Sequence, residues 1–231
     1  MILLFAAALA AAAPASSAAP ASSTACPAVV TPESLVCHAL ESQKSGDLAA
    51  AAQGFEQAAL ASSDQEPATA RMFAAAGNLW IEANQPAKAI TDLDKAIAMP
   101  GLSAEQRGEA LLDRARAAEA QGDIKAARAK LGLAAASISA DPFYWYFSAA
   151  LAVREGDAAT AQSAIAKALE LAPGDPTILF EAGHVAHFTG DDAKARTYWQ
   201  KAAAADPNGE AGRSAAKAAE LLGVIPTVVT H

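Results

Sequence analysis

Of 231 residues, 67 are alanine, so although 53% of positions are hydrophobic only about a quarter of the chain is larger apolar side chain. Lys and Arg number 17 against 25 Asp and Glu, a net charge of −8 with pI near 5.0. With no basic run, this balance argues against nucleic-acid phosphates or anionic lipid as partners. Alanine is the best helix former and only 14 glycines are present, so the composition predicts an all-α chain.

Residues 1–25 read as a separate segment. Ile2 to Ala13 is a continuous apolar block, Pro14 breaks it, and Ala, Ser and Pro follow through Ala25. Twelve helical residues reach about 18 Å, short of the roughly 30 Å hydrocarbon layer, so the block does not span a bilayer. Its length and the small residues from Ala13 to Ala19 fit a secretory signal peptide, although its first residues carry no Lys or Arg. The expectation is export to the periplasm or the exterior, with no membrane insertion of the mature chain.

Cys26 and Cys37 follow. In an exported protein they form one disulfide pinning the N-terminal arm to the first helix. Two alternatives stay open: two free thiols, or lipidation of Cys26, since Thr24-Ala25-Cys26 partly resembles a lipobox. The C-x₁₀-C spacing is not read as a metal motif.

A repeat runs through the remainder. Gly46, Asn84, Gly122, Gly156 and Gly190 recur in similar surroundings, at spacings of 38, 38, 34 and 34 residues. Five residues after each stands alanine (Ala51, Ala89, Ala127, Ala161, Ala195). Nine after stands a large apolar residue (Phe55, Leu93, Leu131, Ile165, Trp199). Twelve after stands alanine again (Ala58, Ala96, Ala134, Ala168, Ala202). Glycine, or asparagine as its usual substitute, ends a helix in the left-handed conformation. Asp47, Asp123, Asp157 and Asp191 then cap the next helix. Thr31-Pro32, Asp141-Pro142 and Asp175-Pro176 pair an N-cap with proline at the first helical position, and Ser103 with Gln106 reads as a capping box.

These features resemble the tetratricopeptide repeat, a helix–turn–helix unit of 34 residues. The match is strongest at Trp145, Ala149, Gly156, Ala161, Ile165, Ala168 and Pro173, and at Leu179, Gly183, Gly190, Ala195, Trp199, Ala202 and Pro207; Gly77 and Trp80 add to it. The resemblance implies an α-solenoid of five units over 32–207, at about 32–64, 67–100, 104–139, 142–173 and 176–207. A polar-faced capping helix over 208–223 and a tail over 224–231 complete it. It also implies a right-handed superhelix whose concave groove, lined by first helices, takes a protein or peptide. The family's groove positions map to Glu109, Leu112, Asp113, Arg116 and Glu119, to Phe143, Tyr146, Phe147, Ala150 and Arg154, and to Phe180, Glu181, His184, His187 and Phe188. Of these, Arg116, Tyr146, Phe147, Arg154, Phe180, His184 and His187 are the expected partner-binding set.

Phe143 to Phe147 are five consecutive aromatics and cannot all face one side. Trp145 is expected in the core, with Tyr146 and Phe147 toward the groove. Lys125, Arg128 and Lys130 are read as a solvated helix face. His184 and His187 are a two-histidine candidate for metal, but zinc takes four ligands and His38 and His231 lie at opposite ends of the chain. Asn78 matches one position of the family's carboxylate clamp, whereas Ala74 stands where lysine is needed. No nucleophile elbow, phosphate loop or metalloprotease motif is present. The expectation is a non-enzymatic interaction module without cofactor, rivalled by a scaffold binding through its outer faces and, distantly, by a metal-dependent hydrolase.

Overall fold

The computed structural model describes residues 26–63 and 67–224. The expected signal segment 1–25 and the tail beyond Val224 lie outside the described residues. Eleven helices are found among the described residues: α1 Pro32–Ser45, α2 Leu48–Leu60, α3 Pro67–Glu82, α4 Pro86–Ala98, α5 Ala104–Ala120, α6 Ile124–Ile138, α7 Pro142–Glu155, α8 Ala158–Leu171, α9 Pro176–Phe188, α10 Asp192–Ala205 and α11 Glu210–Val224. Each packs on its neighbours in sequence, making five hairpins and a final single helix.

The hinges lie where the sequence puts them. Gly46, Gly122, Gly156 and Gly190 adopt φ of 83°, 81°, 75° and 84°, and Asn84 is the one described non-glycine residue with positive φ, at 55°. Immediately after them, the carboxylates of Asp47, Asp123, Asp157 and Asp191 accept from the backbone N–H groups of Ala50, Ala126, Thr160 and Lys194. Thr160 also donates its hydroxyl to Asp157, and these bonds hold that carboxyl below its ordinary range. Gln85, after the asparagine hinge, makes no such side-chain cap. The Ser103–Gln106 capping box is present, and Thr31 forms a second one with Ser34.

The seam residues explain why two helices close into a hairpin. All ten alanines at the fifth and twelfth positions after the hinges are 0% exposed. Between each pair sits the large residue, Phe55, Leu93, Leu131, Ile165 or Trp199, also buried. Methyl-sized side chains let the backbones approach, and the large one fills the space that remains. Opposite two of these plugs the partner helix carries glycine. A Cβ on Gly77 runs into Leu93, and one on Gly183 runs into the Trp199 indole.

The two 38-residue spacings are explained by both helix and loop. The first helices there, α3 and α5, have 16 and 17 residues, against 14 and 13 in α7 and α9. The preceding connections, 61–66 and 99–103, are also longer than 139–141 and 172–175. The second hairpin has a buried acid of its own: Asp92 accepts from Trp80 Nε1 at 3.1 Å and pairs with Lys95 at 3.1 Å. Neighbouring units are tied by charge as well as by apolar packing. Arg128 on α6 binds Glu155 at the end of α7 through two nitrogens and also reaches Ser148, and Lys130 reaches Asp94 on α4. These two residues therefore are not the freely solvated face expected from sequence; they join helices of different hairpins. Glu210, Arg213, Lys217 and Glu220 of α11 are exposed while Ala215 is buried against the fifth hairpin, as a stack-ending helix requires.

The curvature follows from which helices touch. First helices meet one another directly, α3 with α5, α5 with α7 and α7 with α9. Among the described residues the second helices make no comparable contacts with each other, so they fan outward and the first-helix side is concave.

Because nothing lies within 4 Å of a Cβ added at Gly156, only backbone strain opposes a side chain there. Gly156→Val is expected to destabilise the chain by about 1–3 kcal/mol in denaturant melts. Gly174→Ala, which has open space and no positive φ, leaves the midpoint unchanged. Equal midpoints for both variants would contradict the hinge assignment.

Candidate functional site

The concave side of α5, α7 and α9 carries a continuous groove. One part, of about 510 Å³, is lined by Arg116, Glu119, Tyr146, Ala150, Arg154 and His184, with Ile81 of α3 at its edge. A second part, of about 330 Å³, shares Arg116 and Tyr146 and adds Leu112, Phe143, Phe147 and Thr177. Farther along, α3 and α5 enclose about 460 Å³ lined by Arg71, Asn78, Gln106, Glu109 and Asp113. First helices present these residues because α5, α7 and α9 touch side by side and keep the same face toward the axis of curvature.

Neither a protein-family model nor a curated protein matches the chain. Solved structures do. PilW, a widely conserved type IV pilus biogenesis factor, superposes with TM-score 0.65 at 20% identity over 79% of this chain and 81% of its own. TTC0263, a thermophilic repeat protein of Thermus thermophilus, gives 0.62 at 17% identity over 83% and 100%. YrrB, described as a TPR protein with an unusual peptide-binding site, gives 0.56 at 19% identity over 80% and 91%. The chain has the tetratricopeptide-repeat (TPR) fold.

Along the TPR groove, charges come as pairs of opposite sign. Arg154 Nε meets Glu119 Oε1 at 2.7 Å, joining α7 to α5. Asp113 accepts from Arg116 at 2.8 Å and from Asn78 of α3 at 2.8 Å. His184 Nδ1 lies 3.4 Å from Glu181 Oε2, and its ring packs against Phe180, inclined at 59° with centroids 4.3 Å apart. Tyr146 stands between these pairs with its ring half-buried, and its hydroxyl makes no hydrogen bond to another described residue. Burial, reinforced by the Glu181 carboxylate, pushes its phenol above the ordinary tyrosine range; Arg116 opposes that shift only in part. The phenol therefore stays neutral and offers a donor to the groove at physiological pH.

The structure thus brings together Arg116, Tyr146, Arg154 and His184, with Phe180 behind the histidine. Phe147 lines both parts of the groove, yet it is only 8% exposed and packs with Leu111, Leu131 and Leu151, so it serves the core as well. Trp145, expected in the core, is half-buried: it packs against the apolar clusters on both sides of α7 and donates its indole N–H to the Ser139 carbonyl. Tyr144 beside it is more deeply buried. Tyr144, Phe147 and Leu151 share one stripe of α7, and a helix turns about 100° per residue, so Trp145 is rotated out of that stripe. His187 is likewise not in the groove. It is exposed and pairs with Asp192 at 2.6 Å, at the start of α10. His184 and His187 therefore pair with different carboxylates, Glu181 and Asp192, although both rings touch Trp199.

Two contributors were not in the expected set. Glu181, buried beside His184, is an acceptor at the groove floor, and Asn78 ties α3 to α5. Cys26 and Cys37 are bonded, with Cα atoms 5.6 Å apart, so no Cys26 sulfur is left for a lipid in this state. The sequence reading of these cysteines overlooked His38, adjacent to Cys37.

Glu109 shows how groove electrostatics couple to stability. Its carboxyl is raised by desolvation first, then by Glu105, Asp113 and Asp141. A raised acid favours the folded state most when protonated, so the cost is present above the raised value and disappears as pH falls through it. Glu109→Gln is expected to raise stability at pH 7 by about 0.2–0.5 kcal/mol for each like-charged i,i+4 pair relieved. At pH 3 to 4 the two chains should melt together; a gain that persists there would contradict the charge explanation.

Proposed function

We propose that this chain is a non-enzymatic interaction module that takes a peptide segment of a partner protein into the groove of α5, α7 and α9. The observation that carries this reading is the Tyr146 surface, an apolar ring whose hydroxyl has no partner among the described residues, flanked by the Arg154–Glu119 and Arg116–Asp113 pairs. A peptide backbone alternates donors and acceptors, so a groove with both signs of charge in reach suits it. Phosphate backbones need a net positive field, which a −8 chain with paired arginines does not supply. The matching segment is extended or helical, with one apolar side chain placed on Tyr146 and polar groups on either side. The peptide-binding site named for YrrB supports a peptide as occupant.

The reading extends to a cell-envelope location. The apolar block at the N-terminus supports it, as does a disulfide of the kind that persists in oxidising compartments. The pilus role named for PilW is compatible with it.

An outer-face scaffold is the rival, favoured by a hollow of about 700 Å³ lined by Ile165, Leu169, Val185 and Tyr198. Peptides selected from a displayed random library against the full chain decide between them. Tyr146→Ala and Arg154→Ala should weaken the selected peptides at least about tenfold, the 1.4 kcal/mol scale of one good contact, while the fold stays intact. Phe147→Ala should instead lower stability by about 3–5 kcal/mol. Peptides that bind both groove variants as tightly as the parent, and are lost on altering Leu169 and Tyr198, would overturn the groove reading in favour of the scaffold.

A further inference from the structure

The disulfide end of the molecule holds a second constellation, remote from the groove. Cys26 Sγ, one ring nitrogen of His38 and one carboxylate oxygen of Glu41 all lie within 4.8 Å of one another. Cys37, bonded to Cys26, brings a second sulfur to the same place. Three of the four residues come from α1: Glu41 lies one turn on from both Cys37 (i+4) and His38 (i+3), and the disulfide brings Cys26 of the preceding arm beside them.

Both ring nitrogens of His38 are held. Nε2 lies 3.3 Å from the Pro27 carbonyl oxygen, which can only accept, so Nε2 carries the hydrogen. Nδ1 lies 3.3 Å from Glu41 Oε2, close enough to share a proton with it. A metal ion can take the place of that proton, since ligand binding and protonation compete for the same lone pairs. The separation also suits a shared metal. With bonds of about 2.0–2.1 Å to nitrogen and oxygen, neighbouring ligand atoms of a tetrahedral metal stand about 3.3–3.4 Å apart. The Nε2–H bond to a backbone carbonyl is the outer-shell contact that commonly fixes a metal-binding imidazole.

We infer that Cys26, Cys37, His38 and Glu41 form a redox-gated site for a thiophilic divalent cation, zinc by its chemistry, which opens when the disulfide is reduced. The two sulfurs of a disulfide are poor ligands, and their mutual bond keeps them too close to occupy two corners of a tetrahedron. Reduction by a dithiol delivers two electrons and two protons to the Cys26–Cys37 bond and leaves the reductant as a disulfide. Zn²⁺ then displaces both thiol protons and forms two Zn–S bonds; His38 Nδ1 and Glu41 Oε2 complete an S₂NO set. The sulfurs must separate to about 3.8 Å, the edge of a tetrahedron with bonds of about 2.3 Å. With the Cα atoms 5.6 Å apart, rotation of the two cysteine side chains about Cα–Cβ supplies that separation and leaves the Pro27 carbonyl on His38. Both states fasten the N-terminal arm to α1, by a covalent bond when oxidised and by a metal when reduced.

The test uses the full chain and Co²⁺ as a spectroscopic stand-in for zinc. After reduction by a phosphine, which does not compete as a thiol ligand, the chain should bind one Co²⁺ with the intense visible bands of a tetrahedral site and sulfur-to-cobalt charge transfer. Zinc should bleach those bands stoichiometrically. The unreduced chain should show neither. His38→Ala should weaken the reduced chain for cobalt by more than about 100-fold, since losing even an outer-shell partner costs 10–100-fold. Cys37→Ser should remove the charge-transfer band. Circular dichroism monitors the fold throughout, and α1 lies at one end of the stack, so the remaining hairpins report separately. The inference is overturned by a reduced chain that binds no cobalt, by unreduced chain that binds it equally well, or by a His38→Ala variant with unchanged affinity.

Discussion

Everything in this structure depends on how closely two helices can approach. The chain has too few large apolar side chains to fill a conventional core, and it does not try to. Alanine is placed where the helices of each hairpin touch, at 0% exposure in all five units, and one large residue fills the gap between two such contacts. Close approach replaces volume: dispersion contacts between nearly touching backbones do what bulky side chains do elsewhere. A hairpin closed in this way still has an apolar outer side, which only the next hairpin covers, and from that need come the stack, the terminal α11 and the concave side.

The local part of this plan was legible in the sequence because its causes are local. A left-handed residue demands glycine or asparagine, a capped helix demands Asp, Ser or Thr before it, and both recur at fixed distances from the seam alanines. What was not legible depends on rotation of a helix about its axis and on partners far away in the chain. The five aromatics from Phe143 to Phe147 show this: one register puts Tyr144 and Phe147 inward and Tyr146 toward the groove, and no local rule selects it. Arg128 looks like any surface cation until Glu155 and Ser148, on the next hairpin, are brought beside it. His187 failed as a groove residue for the same reason, since the α9 face that carries His184 turns His187 toward Asp192. His38 was overlooked because its significance arises only when the Cys26 arm folds back onto α1.

The groove follows from the stack. First helices in contact present one face each, and their ends and faces bring Asn78, Asp113, Arg116, Glu119 and Arg154 into a chain of paired charges that also binds hairpin to hairpin. The same side chains therefore hold the curvature and offer polar contacts to an occupant. That double role explains why the groove has little net charge, while its apolar contribution comes from Tyr146 together with Leu112, Phe143 and Phe147.

The seam is tested most directly by enlarging one of its alanines. Ala161, on α8, is fully buried against α7, where Ala149 and Ala152 are buried in turn, whereas Ala159, two residues earlier, is exposed. In denaturant unfolding, Ala161→Leu is expected to lose about 1–3 kcal/mol through overpacking while Ala159→Leu keeps the parent midpoint. An Ala161→Leu chain as stable as the parent would mean that these helices are not in close contact, and the stack built on them would have to be abandoned.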